Sequence, residues 1–367
     1  MIENISDAFI LFLNVYNLVA LAGGIAIGVI VGAIPGMTST MAVALTLPFT
    51  FTLPPVTCIR LLLGGYKGGV YGGSIPAILV RAPGTPAASC SVLDGYPLAQ
   101  KGQAGKALDM AIYASCSADL VSNMSLILLV GYLAALVTSF GPPENFTLIF
   151  FSLTIIASVS GESLLRGFIS AGAGLLLATV GLDLIYGTDR FTFGNANLLG
   201  GLAFIPLLIG LFAIPEILNG YARRGAPEKV PADPSGTRAT FADFRRCFRS
   251  IFRGSLIGVV LGAIPGIGGA PSAFVSYSEA MRRSPNRKNF GKGELEGVAA
   301  AEAGNNGVAG STMIPLLALG IPGDVITAVI LGAFMVHGLR PGPMLFEQNI
   351  DLIYALFMKS YICLTGP

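Results

Sequence analysis

Long runs without a charged residue constrain this chain more than any other feature. No Asp, Glu, Lys or Arg occurs in residues 8–59, and further charge-free runs cover 120–143, 191–215, 254–278 and 303–323. Each is about as long as the roughly 20 apolar residues that cross a bilayer as a helix. Barrel strands would be about 10 residues long and would alternate in polarity, which these runs do not. Of the 367 residues only 11% are charged and 53% are hydrophobic, against about 25% charged in a typical soluble domain. That composition excludes a soluble enzyme, a nucleic-acid binder and a disordered chain. It leaves an all-α polytopic membrane protein.

The chain also carries 48 glycines and 23 prolines, a load high even for membrane helices. It points to tight helix packing or to many broken helices. Cys58, Cys90, Cys116, Cys247 and Cys363 are dispersed without a CxxC pair, so no disulfide framework or zinc site is expected. The single histidine, His337, excludes a multi-histidine metal site. The N-terminus lacks the basic n-region of a signal peptide, so the first apolar stretch is expected in the mature protein.

Apolar segments read at about 8–34, 38–54, 60–80, 108–138, 144–161, 163–187, 195–219, 254–281, 298–319, 323–338 and 350–365. A polar linker at 221–253 holds eight bases and three acids, and residues 282–292 hold five bases and no acid. The positive-inside rule places both in the cytoplasm. Segment 254–281 then enters and leaves on one side, yet it is too short for two crossings. Its centre, Ile264-Pro265-Gly266-Ile267-Gly268-Gly269-Ala270-Pro271, breaks a helix. The pattern predicts a re-entrant hairpin with its tip inside the protein, the alternative being one kinked span with a basic loop on the far side. Irregular backbone at membrane depth is tolerated only where protein buries it or it lines a wet cavity, so the tip is a candidate site. Ahead of it, Phe241, Phe244, Phe248, Ile251 and Phe252 share a helical face that Arg245, Arg246, Arg249 and Arg253 largely avoid. That spacing predicts an interfacial amphipathic helix.

The chain is internally duplicated. Residues 24–36 align without gaps to 254–266, identical at nine of 13 positions including Gly-Ala-Ile-Pro-Gly. Ile75-Pro76 precedes Pro83-Gly84 by the interval at which Ile314-Pro315 precedes Pro322-Gly323, with Gly65 and Gly68 in register with Gly304 and Gly307. Much of the glycine is thus expected at paired Pro-Gly breaks. Repeated halves with Gly/Pro-interrupted segments in matching places are the sequence pointer to a secondary transporter. Counting crossings from the linker puts Lys101 and Lys106 in the cytoplasm and the loop near Arg340 in the periplasm. The expected architecture is therefore inverted repeats with broken helices and re-entrant hairpins. Residues 1–221 form the first half, 222–253 a basic linker with the interfacial helix, and 254–367 a second half.

At these motifs the sequence resembles the large membrane subunit of tripartite tricarboxylate transporters. The stretches that carry the resemblance include Gly32-Ala33-Ile34-Pro35-Gly36, Tyr71-Gly72-Gly73-Ser74-Ile75-Pro76, Pro83-Gly84-Thr85-Pro86-Ala87-Ala88 and Leu93-Asp94-Gly95-Tyr96-Pro97-Leu98-Ala99. In the second half they are Gly262-Ala263-Ile264-Pro265-Gly266, Ala300-Ala301-Glu302-Ala303-Gly304-Asn305-Asn306 and Leu319-Gly320-Ile321-Pro322-Gly323. The resemblance implies a multi-pass permease of the bacterial inner membrane that works with a small membrane subunit and a periplasmic solute-binding protein. It also implies import of a small, tricarboxylate-like organic carboxylate driven by an ion gradient. Large subunits of that family are usually longer at the C-terminus, so a truncated chain is an expectation here.

Candidate substrate-binding residues are Pro35, Gly36, Thr38, Ser39 and Thr40 at the first tip, and Gly266, Gly268, Gly269 and Ser272 at the second. Their backbone amides and hydroxyls can approach a carboxylate, whereas a plain kink or close helix packing would use the same residues. Lys67 stands where Asn306 stands in the other half. It is a candidate to neutralise substrate, or it snorkels to the surface. Asn305 and Asn306 are candidate hydrogen-bond donors and, with Thr38, candidate Na⁺ ligands. Ser74, Gly84, Thr85 and Gly323 complete the substrate set. Glu302, Ser311, Thr312 and Asp324 are candidates for ion coupling by Na⁺ or H⁺, because intramembrane polar and ionisable groups are functional by default. Helix capping is the alternative for the serines, Thr312 and Asp324, and pairing with a buried base is the alternative for Glu302. Arg81 binds carboxylate or sits at the interface. Asp119 and Asp183 read as paired or loop charges. No other cofactor is expected. The rival classes are an anion channel, which lacks a ring of like charges, and a membrane-embedded enzyme, for which no GxSxG or HExxH motif appears.

Overall fold

The computed structural model describes residues 14–137, 163–183, 188–202 and 237–342, with single positions in 141–150, 206–218 and 345–353. Expected segments 144–161 and 350–365, much of 195–219, and linker residues 221–236 lie largely or wholly outside the described residues. Among the described residues the chain is helical, apart from one pair of two-residue strands. Two helices are long and apolar enough to cross a membrane, over Val15–Gly32 and Ala104–Leu133.

The first half runs α1 (Val15–Gly32), α2 (Ser39–Thr46), α3 (Pro55–Gly72), α4 (Ser74–Val80), α5 (Ala88–Gln100) and α6 (Ala104–Val137). After α7 (Leu164–Ala178) and the strand pair Gly181–Leu182 and Asp189–Arg190, the second half runs α8 (Phe241–Gly262), α9 (Gly269–Arg283), α10 (Leu295–Ser311), α11 (Met313–Leu319) and α12 (Val325–Val336). From α1 to α5 and from α8 to α12 the same elements follow in the same order. The Ile-Pro-Gly pieces explain part of this. Met37 N–H donates to Ile34 O at 3.0 Å, and Ile267 N–H donates to Ile264 O at 3.4 Å. Gly36 has φ 87° and Gly266 has φ 84°. A proline followed by a glycine at positive φ is the signature of a type II turn. Each turn ends one helix and releases the next, α2 or α9.

Most of the other matched glycines are packing residues, not break residues. Gly24, Gly28 and Gly32 press α1 onto α3, and Gly254, Gly258 and Gly262 press α8 onto α10. A methyl group at Gly28 would stand 2.6 Å from Gly69 N, and one at Gly258 would stand 2.7 Å from Gly304 O. Small residues every fourth position let two backbones meet where lipid gives no hydrophobic drive. The glycine thus divides between the breaks and these helix seams, the two uses its abundance pointed to.

Helices α8 and α9 fold back on one another, with Ser276 Oγ at 3.4 Å from Gly254 O. Ser250 on α8 and Ser284 just past α9 both donate to Glu296, at 2.5 and 2.6 Å, so the hairpin starts and ends together. The same end gathers Lys101, whose Nζ donates to Lys292 O at 2.5 Å, and Lys106, which pairs with Asp243 at 2.7 Å. The core joins both halves: Leu62, Leu63 and Val70 pack with Met313, Leu317, Ile330 and Phe334. Outward faces stay apolar, with Tyr16, Leu128, Tyr132 and Leu165 exposed.

Three expectations change. The apolar scan shows nothing over 81–107, yet α5 lies there. Its Ser91, Asp94 and Gln100 lower its hydropathy, and the first two are buried by neighbouring helices rather than lipid. Segment 163–187 does not continue as helix. The helix stops at Ala178, Gly181–Leu182 pairs with Asp189–Arg190 as strands, Asp183 pairs with Arg190, and residues 184–187 lie outside the described residues. The amphipathic stretch runs without a break into the next segment, because α8 extends from Phe241 to Gly262, so the expected boundary at 253/254 falls inside one helix. Phe241, Phe244, Phe248 and Phe252 form an edge-and-stack ladder along it, but Ile251 turns inward against the core.

Candidate functional site

The broken segments of the two halves meet. Within the second half Gly266 N–H donates to Gly323 O at 2.8 Å, and within the first Gly84 N–H donates to Gly73 O at 3.1 Å. A methyl group at Gly269 would lie 3.5 Å from Ala87 Cβ, and one at Gly268 would lie 3.8 Å from Asp324 Cβ. The starts of α5, α9 and α12 therefore share one neighbourhood. The start of α2 packs on α3 at Gly69, less than a turn from Tyr66, and Tyr66 reaches Asp324. Each helix start presents N–H groups without intrahelical partners and the positive end of its dipole. Thr38 Oγ1 accepts from Met41 N–H at 3.3 Å, Thr85 Oγ1 from Ala88 N–H at 3.2 Å, and Asp324 Oδ1 from Thr327 N–H at 2.7 Å.

Two polar atoms here are buried without a partner: Ser39 Oγ, on a residue 2% exposed, and Asn305 Nδ2, on a residue 4% exposed. The Asn305 side chain lies against the start of α9 at Gly269. Unsatisfied buried polar groups are costly, and each calls for an explanation.

Behind this lies a second polar centre. Glu302, 0% exposed, accepts from Ser74 Oγ at 2.5 Å and from Ser91 Oγ on one carboxylate oxygen. On the other it accepts from Ser115 Oγ at 3.3 Å and Asn306 Nδ2 at 3.4 Å. Asn306 also donates to Ser115 Oγ at 2.8 Å. None of the ion pairs among the described residues includes Glu302.

The remaining sequence candidates fall as follows. Lys67 pairs with Asp119 at 2.6 Å, and Asn123 Nδ2 donates to the same oxygen at 2.9 Å, so its charge is neutralised within the protein. Asp324 is the N-cap of α12 in a capping box with Thr327, and its free oxygen accepts from Tyr66 OH at 2.6 Å. Thr312 Oγ1 lies 3.4 Å from the same Tyr66 hydroxyl. Ser311 Oγ donates to carbonyls of Val308 and Gly307 at 3.1 and 3.2 Å, and Ser272 Oγ to Gly268 O at 3.0 Å. Pro35 is exposed, while Gly36, Thr38 and Thr40 are partly so. Arg81 is exposed and stands 5.9 Å over the Tyr96 ring. Sequence reasoning gave no role to Tyr66, Ser91, Ser115 or Asp94. Asp94 is fully buried and ties α5 to the second half: Tyr277 OH and the backbone N–H groups of Gly293 and Glu294 donate to it, each at 2.8 Å. Its only signal was a carboxylate amid small and apolar residues. Among the described residues no group of three or more His, Cys, Asp and Glu could hold a metal ion.

Comparison with known proteins adds a family. Residues 18–365 match the profile of the Tripartite tricarboxylate transporter TctA family. An uncharacterized 52.8 kDa protein in the TAR-I ttuC' 3'region of Agrobacterium vitis is 37% identical over 362 residues, 99% of this chain and 72% of the relative. An uncharacterized protein in the TAR-II ttuC' 3'region of the same organism is 40% identical over 105 residues, 29% of this chain and 43% of the relative. No solved structure matches.

Proposed function

Because the chain belongs to the tripartite tricarboxylate transporter TctA family, a family of membrane transporter subunits, we propose that it is a secondary active transporter subunit importing a small organic carboxylate. The observation that carries the reading is that the starts of α5, α9 and α12 share one neighbourhood, with an unpartnered buried donor, Asn305 Nδ2, on the side chain that lies against the start of α9. Helix starts bind anions through free N–H groups and the dipole together. Gly36, Thr38, Thr40, Gly84, Thr85, Gly268, Gly269 and Gly323 supply backbone and hydroxyls around them, and Lys67 acts indirectly through its Asp119 pair. Substrate arrives from a periplasmic binding protein, with a small membrane subunit alongside, in the bacterial inner membrane.

Inverted repeats belong to the same proposal. Tyr66 of α3 reaches Thr312 at the end of α10, while Ser74, just past the end of α3, reaches Glu302. Those crossings suit two like halves running in opposite directions. The hairpin of α8 and α9, with both ends among Lys101, Lys106 and Lys292, suits entry and exit on the cytoplasmic side.

The test is uptake of a panel of labelled carboxylates into proteoliposomes that also hold the small subunit and binding protein, with and without an ion gradient. Wild-type protein is expected to accumulate one of them, and Asn305→Ala to lower apparent affinity about tenfold or more, since one buried charge-assisted hydrogen bond is worth roughly 1.5–3 kcal/mol. Absence of gradient-dependent uptake of every anion sinks the reading. Flux that never saturates makes the protein a channel.

A further inference from the structure

We propose that Glu302 and the hydroxyls around it form a binding site for one sodium ion. A carboxylate taken wholly out of water needs a compensating charge or a dense set of donors. Its neighbours are all neutral: Ser74 at the start of α4, Ser91 on α5, Ser115 on α6, and Asn306 one turn along α10. All are buried. No cation of the protein pairs with Glu302 among the described residues, although the chain supplies Lys67 to Asp119 only a few turns away.

The kind of charge follows from the donor set. A proton needs a single acceptor. Here three hydroxyl oxygens, from α4, α5 and α6, surround the two carboxylate oxygens of Glu302 on α10. A hydroxyl that donates to Glu302 keeps two lone pairs and turns them inward when its hydrogen rotates away. Rotation of the Asn306 amide brings its oxygen inward likewise. Oxygen donors alone suit a hard cation, while soft or divalent metals call for thiolate, imidazole or several carboxylates. One carboxylate among neutral oxygens matches one positive charge.

Occupancy would tie α4, α5 and α6 to α10. Ser74 adjoins Gly73, whose added methyl group would meet Thr85 N at 3.2 Å, and Asn306 adjoins Asn305. Filling the ion site thus sets the positions of Thr85 and Asn305, which face the proposed substrate. Ion binding stands by itself, whereas its role as the coupling ion rests on the transport reading.

The experiment is equilibrium binding of ²²Na⁺ to the purified chain in detergent, without any carboxylate. Wild-type protein is expected to bind one Na⁺ per chain. Glu302→Gln, which keeps size and hydrogen bonding, is expected to weaken binding about 100-fold or more, and Ser91→Ala about tenfold. Gel filtration and thermal unfolding establish that each variant is folded. Wild-type protein that retains no ²²Na⁺ overturns the site, and so does a folded Glu302→Gln that binds as wild type does. Should Glu302→Gln not fold, Ser91→Ala and Ser115→Ala decide, and unchanged affinity in both overturns the proposal. Na⁺ binding without uptake of any carboxylate upholds the site and removes the transport reading, whereas uptake without Na⁺ binding does the reverse.

Discussion

The two halves share a skeleton and differ in chemistry at matching points. Lys67 and Asn306 hold equivalent places, one in an ion pair with Asp119, the other in a hydrogen-bond network with Ser115 and Glu302. Tyr66 and Asn305 are equivalent too. The tyrosine is fully engaged with Asp324 and Thr312, while the asparagine nitrogen has no partner. Ser39 and Gly269 open matching helices, and there the unpartnered atom lies in the first half. Backbone geometry is therefore what the duplication preserves, and side-chain polarity is what diverged. Glycine seams and Ile-Pro-Gly turns leave little room for substitution. The polar positions between them differ from one half to the other.

The contrast is sharpest at Lys67. Lys67→Met leaves Asp119 buried without its cation and is expected to cost about 3–5 kcal/mol, read as a large fall in Tm in detergent. Adding Asp119→Asn restores most of it. Asn306→Ala removes hydrogen bonds to Ser115 and Glu302 but strands no ion-paired partner, and is expected to cost about 1–3 kcal/mol, so a larger loss there than at Lys67 would break the comparison. The seams test the opposite limb. Gly28→Ala and Gly258→Ala each force a methyl group against backbone and are expected to cost about 1–3 kcal/mol, by similar amounts. A large difference in their Tm shifts would mean that the seams are not equivalent.

The smallest effect is expected at the end of the molecule where the halves have no counterpart. Burial alone raises the Asp243 carboxyl, but Lys106 and the Thr240 backbone and hydroxyl outweigh it, and the group is held below its ordinary value of 3.8. A carboxylate lowered on folding adds stability that is present above the ordinary value and fades as pH falls through the lowered one. Asp243→Ala is expected to cost less than about 1 kcal/mol, measured as Tm at neutral pH, and nothing in strong acid.

The charge-free runs made a helical membrane protein legible, and the Gly-Ala-Ile-Pro-Gly pair made the duplication legible. Both signals are local and survive without knowledge of packing. Helix α5 was not legible, because Asp94 and Ser91 are buried by protein instead of lipid and so read as loop polarity. The candidate site was half legible. Broken segments announce themselves through proline and glycine, but which polar atoms stay free depends on contacts between distant helices. Tyr66 and Asp324 are far apart in sequence and hydrogen-bonded in space. Lys67 looked like the free cation of the site until Asp119 on α6 claimed it.

The cross-half bonds have a mechanical consequence. Tyr66 to Asp324, Ser74 to Glu302 and Asp94 to Tyr277 fasten the first half to the second at three separate levels. A stroke that slid one half past the other would tear all three at once. Kinematically the halves are one riveted body, so a displacement that keeps these rivets carries both halves together against their surroundings.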